Sequence, residues 1–221
     1  MKVILKCIYN KSKIPPIIFT SEEIDSQFAL KLANDLESTG KWRDLIIIDE
    51  LGQEWTKKQY QKLSEEFEGT PQNVTIYFDG SHKPGETTAG AGIAIYYTLN
   101  NKKYRQRSNM SFDYIEDNNE AEYCALWAAV QKLEELDVKH QKIAIKGDSQ
   151  VVLKQLTGEW PCYEENLNRW LDRIEEKLKS LGLPFETIAV PRKENEEAHR
   201  LASQALEGIW IDSQLELRDM G

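Results

Sequence analysis

The sequence predicts an α/β protein with a small α+β domain in front of it. Three features support this: apolar strands that alternate with amphipathic helices, a Gly-Thr-Pro break at residues 69–71, and a change there from a ββαβα order to a longer βββαβααβα order. We therefore expect residues 1–69 to form the small domain and residues 70–221 the larger one. In the larger domain antiparallel strands come first and crossover-connected strands follow, which predicts a mixed sheet.

Composition and charge place the chain among globular proteins. Hydrophobic residues make up 40% of its 221 residues and charged residues 29%, so it can bury a real core. It has no apolar run long enough to span a bilayer and no signal-peptide cleavage site, and we expect a cytoplasmic protein that does not bind a membrane. Three widely spaced cysteines favour neither a disulfide framework nor a zinc site. The net charge of −9 argues against a broad basic surface for nucleic acid but allows a local one.

The first domain is predicted to contain two strands, a helix, a third strand and a second helix. A polar turn with Lys11 and Lys13 joins the first two strands. The first helix is expected to bury residues at helical spacing, namely Ile24, Phe28, Leu32 and Leu36. The domain shows no metal-ligand spacing and no glycine-rich phosphate loop. A nucleic-acid tether, a protein-interaction module and a structural cap all stay open for it, and its protein partner is unknown.

The second domain opens with the strand VTIYFDGS, in which apolar and polar side chains alternate up to Asp79. The glycine-alternating AGAGIAIYYTL and the polar KKYRQRSNMSF complete a predicted antiparallel meander of three strands. A long helix follows from about Asn118 to Leu136. Its opening, NNEAEY, predicts an asparagine cap and two glutamates in the first turn, where the helix dipole favours them.

Crossover-connected elements make up the rest. The strand KIAIKGDS ends at Asp148, and SQVVLKQLTG begins a helix with Ser149 as its cap. An amphipathic helix, ENLNRWLDRIEEKLKSLG, leads to the strand FETIAVP and to a last helix, ENEEAHRLASQAL, that opens near Asn195. No element is predicted after this helix.

Three acidic residues fall at strand ends or at the start of a helix: Asp79, Glu122 and Asp148. Taken singly, each has an ordinary explanation as a turn residue, a glutamate that complements the helix dipole, or a helix cap. Sites in open α/β sheets collect at strand ends, so the three can converge in space although they are far apart in sequence. The occurrence of all three at such positions favours a functional site.

Four motifs occur in a fixed order: YFDGS with its glycine-rich hairpin, NNEAEYCAL, GDSQVV and PRKENEEAHRLA. With them the chain resembles the type 1 ribonuclease H family, in its reverse-transcriptase-like subgroup, over about residues 73–207. The resemblance implies a ribonuclease H-like fold, a five-stranded mixed sheet with helices on both faces. It also implies a hydrolase that cleaves the RNA strand of RNA–DNA hybrids with two divalent ions, Mg²⁺ or Mn²⁺.

The resemblance assigns roles to individual residues. Asp79 matches an aspartate that bridges the two ions, and Glu122 and Asp148 match ligands of the same pair. Such a pair suits in-line hydrolysis of a phosphodiester, and hard oxygen ligands suit Mg²⁺ or Mn²⁺. Polar side chains beside the RNA strand sense its 2′-hydroxyl. The matching residues, for which capping and turn roles are the alternative, are Ser81, Asn118, Asn119 and Gln150.

The pattern departs from the family at its fourth carboxylate, where His199 stands instead of an aspartate. The imidazole is either a metal ligand or a helix residue that contributes packing and a hydrogen bond. Arg192 and Lys193 occupy the loop where longer members carry a mobile histidine, and a basic insertion is absent. The main alternative function is therefore a ribonuclease H-fold binding module without turnover. A related nuclease that acts on DNA or single-stranded RNA is a third possibility.

Overall fold

The structure is a computed structural model that describes residues 2–10, 14–66 and 69–218. The chain divides into two compact units, Met1–Gly69 and Thr70–Gly221. The predicted turn with Lys11 and Lys13 lies outside the described residues. Among the helices of the described residues, none is long and apolar enough to cross a membrane.

The first unit is built on an antiparallel sheet in the order β2-β1-β4-β5, with β3 also paired to β1. Two short strands, β3 and β5, are present in addition to the elements expected from the sequence. The strands are β1 Lys2–Tyr9, β2 Ile17–Thr20, β3 Ile24–Asp25, β4 Trp42–Ile48 and β5 Glu54–Thr56, and the helices are α1 Ser26–Ser38 and α2 Lys57–Glu66.

The core of the first unit lies between the sheet and its helices. Inward-facing side chains of β1 and β4 pack against Ala29 and Ala33 of α1, which are fully buried. The predicted helix face is wrong at Phe28 and Leu32, which are 63% and 39% exposed. The two alanines lie four residues apart on one face of α1. Because that face is turned to the sheet, Phe28 and Leu32 point outward.

The second unit has a six-stranded sheet in the order β10-β9-β6-β7-β8-β11. Strands β6, β7 and β8 form an antiparallel meander, while β9 runs parallel to both β6 and β10. The strands are β6 Gln72–His82, β7 Thr88–Leu99, β8 Lys102–Asp113, β9 Ile143–Gly147, β10 Phe185–Ala189 and β11 Asp212–Leu217, and the helices are α3 Asn118–Glu135, α4 Gln150–Leu156, α5 Glu165–Ser180 and α6 Glu196–Leu206, the last preceded by a 3₁₀ turn at Arg192–Glu194.

The predicted mixed sheet is confirmed, with one strand more than expected. Strand β11 pairs antiparallel with β8 at the edge of the sheet. Its sequence, DSQLEL, contains only two apolar residues and is mostly exposed, so it lacks the hydrophobic alternation from which a strand is predicted.

Helices cover both faces of this sheet, and two glycines show how closely. A Cβ on Gly80 would lie 2.3 Å from backbone atoms of Ala121 and Glu122 in α3. A Cβ on Gly92 would lie 2.0 Å from the carbonyl oxygen of Ala198 in α6. Gly92 is the cross-strand partner of Asp79, and consecutive residues of a strand point to opposite faces. The Asp79 side chain therefore faces α6, while Gly80 allows α3 to rest directly on β6.

Candidate active site

Three carboxylates from three different elements meet near the carboxyl-terminal ends of two neighbouring strands in the second unit's sheet. Asp79 is on β6, Glu122 is on α3, and Asp148 directly follows β9. Their ligand oxygens all lie within 4.8 Å of one another. Tyr77 of β6 pairs with Lys146 of β9 in the parallel register, so Asp79 and Asp148, each two residues further on, reach the same edge. We call Asp79, Glu122 and Asp148 the carboxylate cluster.

The carboxylate cluster is largely removed from water. Asp79 is 1% exposed and Glu122 is 8% exposed. Burial raises the pKa of Glu122 to about 8; the negative charge of Asp79 adds to this, and the hydrogen bond from the Gly80 N–H opposes it. Burial also raises the pKa of Asp79 to about 6, although its hydrogen bond with His199 lowers it. The fold thus holds carboxyl groups together in a buried site that disfavours their ionised forms.

The chemistry of this donor set fits a hard divalent cation. Carboxylate oxygens are the ligands that Mg²⁺ and Mn²⁺ prefer, and a cation reverses the unfavourable electrostatics of clustered anions. Gly80 donates its backbone N–H to Oε2 of Glu122 at 3.0 Å, which fixes the direction of that carboxylate. The residues of the carboxylate cluster therefore form a ready set of oxygen ligands.

His199 reaches the carboxylate cluster through Asp79. Its Nδ1 lies 3.0 Å from Oδ2 of Asp79, and the two side chains are hydrogen-bonded. The imidazole is not among the side chains whose ligand atoms all lie within 4.8 Å of one another. In this arrangement His199 is a hydrogen-bond partner of the carboxylate cluster.

Arg192 lies next to the carboxylate cluster. Its Nη1 is 3.5 Å from Oδ2 of Asp148, and its Nη2 is 3.0 Å from Nε2 and 3.1 Å from Nδ1 of His199. About two thirds of its side chain, 65%, is exposed. The guanidinium is therefore both adjacent to the carboxylate cluster and open to a ligand from solvent.

Each of the other predicted substrate residues lies within four positions of a carboxylate-cluster residue in the sequence. Ser81 is half-buried on β6, two residues after Asp79. The remaining three have exposed side chains: Asn118 and Asn119 at the start of α3 and Gln150 at the start of α4. Because residues three and four apart share a helix face, Asn118 and Asn119 lie on the side of α3 that carries Glu122.

The predicted cap of α3 is wrong. The helix is capped by Asp117, whose Oδ1 accepts a hydrogen bond from the Glu120 N–H at 2.8 Å. Asp117 has the extended backbone that an N-cap requires, whereas Asn118 is already in the first turn. Capping therefore does not occupy the Asn118 amide. Ser149 does stand at the N-cap of α4, but its side chain makes no capping hydrogen bond.

Sequence reasoning missed Asn195. This residue is 1% exposed, and its Nδ2 donates to Oδ1 of Asp148 at 2.7 Å and to the carbonyl of Phe78 at 2.9 Å. Its only sequence feature is a place at the start of a helix, where asparagine normally indicates a cap. Contacts to two distant strands are not visible in that pattern.

A protein family and individual proteins are similar to this chain in sequence. A family described as reverse transcriptase-like matches residues 77–205. The chain is 42% identical over 199 residues to the uncharacterized protein YpeP of Bacillus subtilis (strain 168), which covers 90% of this chain and 88% of that protein. It is 41% identical over 90 residues to a ribonuclease HI of Halobacterium salinarum, covering 41% of this chain and 44% of that protein.

A solved structure also resembles the second unit. The crystal structure of RNase H1 from the halophilic archaeon Halobacterium salinarum NRC-1 superimposes with a TM-score of 0.50 and 30% sequence identity. The match covers 62% of this chain and 98% of that chain.

Proposed function

This chain belongs to the reverse transcriptase-like family of ribonuclease H proteins, and on that premise we propose that its second unit is a divalent-metal-dependent endonuclease that hydrolyses the RNA strand of RNA–DNA hybrids. The observation that carries the proposal is the carboxylate cluster, whose ligand oxygens lie within 4.8 Å of one another. Anions this close and this buried are costly unless cations neutralise them. The similarity to a ribonuclease HI supports the same class of activity.

The residues that would hold two Mg²⁺ or Mn²⁺ ions are Asp79, Glu122 and Asp148, and His199 is proposed as a fourth ligand. When bound, such a pair of ions activates the attacking water and stabilises charge on the leaving oxygen. The chain itself fixes the ligands before binding. Gly80 directs Glu122 through its N–H, and His199 holds one oxygen of Asp79 at 3.0 Å.

Selection of RNA is proposed for the polar residues around the carboxylate cluster. The 2′-hydroxyl is both a donor and an acceptor, and amide and hydroxyl side chains can bond to it in either sense. The residues assigned to this task are Ser81, Asn118, Asn119 and Gln150. Exposure of the last three supports contact with a ligand. Arg192, exposed and next to Asp148, is assigned to a phosphate of the cleaved strand.

A second candidate function follows from His199. The site has an imidazole where the family pattern has a carboxylate, and this imidazole is hydrogen-bonded to Asp79. A site with one anionic ligand fewer binds Mg²⁺ less well, which favours a module that binds hybrids without turnover. The two functions differ in one observable, which is cleavage.

The test is a cleavage assay on four labelled substrates of one sequence: RNA–DNA hybrid, duplex DNA, duplex RNA and single-stranded RNA. Each is incubated with the full chain in Mn²⁺, in Mg²⁺ and in EDTA. The proposal expects cleavage of the RNA strand of the hybrid alone, and only with metal. Binding of the hybrid without cleavage identifies the binding module, and cleavage of another substrate identifies a different nuclease.

The first unit has no assigned chemistry. Residues 1–69 form a compact unit with their own core. One role open to this unit is that of a tether that adds phosphate contacts. A protein-interaction module and a structural cap are the outcomes if its removal leaves hybrid binding unchanged.

A further inference from the structure

A buried asparagine links two of the three parts of the carboxylate cluster. The Nδ2 of Asn195 donates to Oδ1 of Asp148 at 2.7 Å and to the carbonyl oxygen of Phe78 at 2.9 Å. Phe78 immediately precedes Asp79 on β6, so this one amide group bonds to a ligand carboxylate and to the backbone next to a second one. At 1% exposure it does so away from solvent.

The orientation of this amide is fixed by its partners. Both partners are acceptors, so the NH₂ group must face them and the carbonyl must face the other way. The Oδ1 of Asn195 is buried and has no hydrogen-bond partner within the described part of the chain. Leaving a buried acceptor unpaired costs stability, and groups of this kind in folded proteins call for an explanation. The explanation is that Nδ2 donates two hydrogen bonds at the carboxylate cluster, which leaves Oδ1 facing away from any partner among the described residues.

Helix capping does not explain the residue. Asn195 occupies the N-cap position of α6, but its side chain makes no capping hydrogen bond. Only its backbone contributes to the helix, because its carbonyl accepts from the N–H of His199 at 3.0 Å. The side chain is directed instead to β6 and to the end of β9.

We propose that Asn195 is the positioning residue of this site, an inference that rests on the proposed function. Through its side chain it holds Asp148 and the backbone before Asp79. Through the first turn of α6 it sets the place of His199, four residues on. One amide thus fixes Asp148 relative to the strand that carries Asp79, and Asn195 acts on metal binding without being a ligand itself.

The discriminating variant is Asn195→Ser. Serine is as good an N-cap as asparagine, so a capping role predicts an unchanged protein. A hydroxyl is shorter and has a single donor, so it cannot serve both Asp148 and Phe78. The matched control is Asn109→Ser. Asn109 is also buried, and its Nδ2 donates to the carbonyls of Leu201 and Ile209, outside the carboxylate cluster.

The first measurement is calorimetric titration with Mn²⁺ alone, at a temperature where each variant is folded. We expect Asn195→Ser to bind Mn²⁺ about 10- to 100-fold more weakly than wild type, as is typical when a group that orients a ligand is lost. We expect its kcat on hybrid to fall while KM stays near the wild-type value. Asn109→Ser is expected to lower the unfolding temperature and to keep wild-type Mn²⁺ affinity.

A second measurement needs no variant and decides the matter if Asn195→Ser does not fold. In the wild-type protein, the assigned side-chain amide resonances of Asn195 should shift when Mg²⁺ is added, and those of Asn109 should not. Unmoved Asn195 resonances at a Mg²⁺ concentration that shifts the backbone amide of Gly80, or an Asn195→Ser protein with wild-type Mn²⁺ affinity, overturn this inference while leaving the proposed function intact. A wild type that binds no Mn²⁺ and cleaves nothing overturns both.

Discussion

Nδ1 of His199 lies 3.0 Å from Oδ2 of Asp79, a carboxylate that is 1% exposed. The resemblance places a fourth carboxylate at this position, so the site carries one anion fewer than the family pattern. Imidazole nitrogen suits Mn²⁺ better than Mg²⁺, which prefers oxygen. The identity of this one side chain therefore bears on the choice of metal.

Cleavage by the wild type is expected to be faster in Mn²⁺ than in Mg²⁺. His199→Asp adds an oxygen ligand and should raise the rate in Mg²⁺ toward the rate in Mn²⁺. His199→Ala removes the partner of Asp79 and should lower activity about 10- to 100-fold. The measurement is the initial rate of hybrid cleavage for the three proteins over a range of each metal concentration.

Equal wild-type rates in the two metals, together with an unaffected His199→Ala protein, would show that the histidine neither binds metal nor orients Asp79. Activity in His199→Asp alone would make the natural protein a binding module.

Stability without metal is expected to fall as pH rises. The pKa of Glu122 is raised from 4.5 to about 8 by burial, so between these values the folded state binds more protons than the unfolded state. The free energy of unfolding therefore decreases from about pH 4.5 to about pH 8, and the full penalty applies above that. At about 1.4 kcal/mol per pKa unit, the loss is on the order of a few kcal/mol. Asp79 contributes with the same sign up to about pH 6.

The check is urea unfolding in EDTA at pH 5.5 and pH 8.5. Glu122→Gln should flatten the difference between the two pH values, and adding Mn²⁺ should restore stability at high pH. Glu120→Gln is the matched control, since Glu120 is a buried glutamate of the same helix that bonds to Trp170 instead of the carboxylate cluster. A wild type that is more stable at pH 8.5 than at pH 5.5 contradicts the expectation.

Affinity for hybrid is expected to depend only weakly on salt. The chain carries a net charge of −9, so we expect few of its cations to face phosphates. Contacts by residues such as Arg192 and Lys193 amount to about two to four phosphates, at a slope of about 0.9 or less for each in a plot of log affinity against log salt. Arg192→Ala should reduce the slope by about one. The control is Arg169→Ala, which removes an exposed arginine paired with Glu165 and should leave the slope unchanged. A slope that corresponds to eight or more phosphates would reveal a basic groove.

Deletion of residues 1–69 tests the tether. If lysines of this unit contact phosphates, its loss should weaken hybrid binding and reduce the salt slope by about one contact for each lysine involved, with kcat unchanged. Filter binding at several salt concentrations measures this. Unchanged affinity would assign the unit another task.

The fold of the second unit could be predicted because patterns among neighbouring residues mark most of its strands and helices. Alternation in VTIYFDGS and KIAIKGDS marks two strands, and each ends near an aspartate. Parallel neighbours bring such ends to the same edge, and the structure places Asp79 and Asp148 there. Strand β11 escaped prediction because a polar edge strand is defined by its pairing with β8 and not by its own pattern.

The rest of the site depends on contacts between distant residues. Glu120 and Glu122 share the motif NNEAE and are both buried, yet Glu120 bonds to Trp170 while Glu122 joins the carboxylate cluster. The task of Asn195 depends on Phe78, 117 positions earlier in the chain. Neither distinction is present in helical spacing or capping preference, which describe only residues within a few positions of each other.

The most direct test of the account is single-turnover cleavage of a hybrid by wild type, Asp79→Asn and Asp148→Asn in saturating Mn²⁺. Loss of one metal ligand removes several kcal/mol of transition-state stabilisation, so each variant should cleave at least about 10³-fold more slowly than wild type. Each should also fold, with equal or greater stability in EDTA, because one anion of a repelling group is gone. Near-normal cleavage by either variant, or cleavage by wild type in EDTA, would contradict a metal-dependent reaction at the carboxylate cluster.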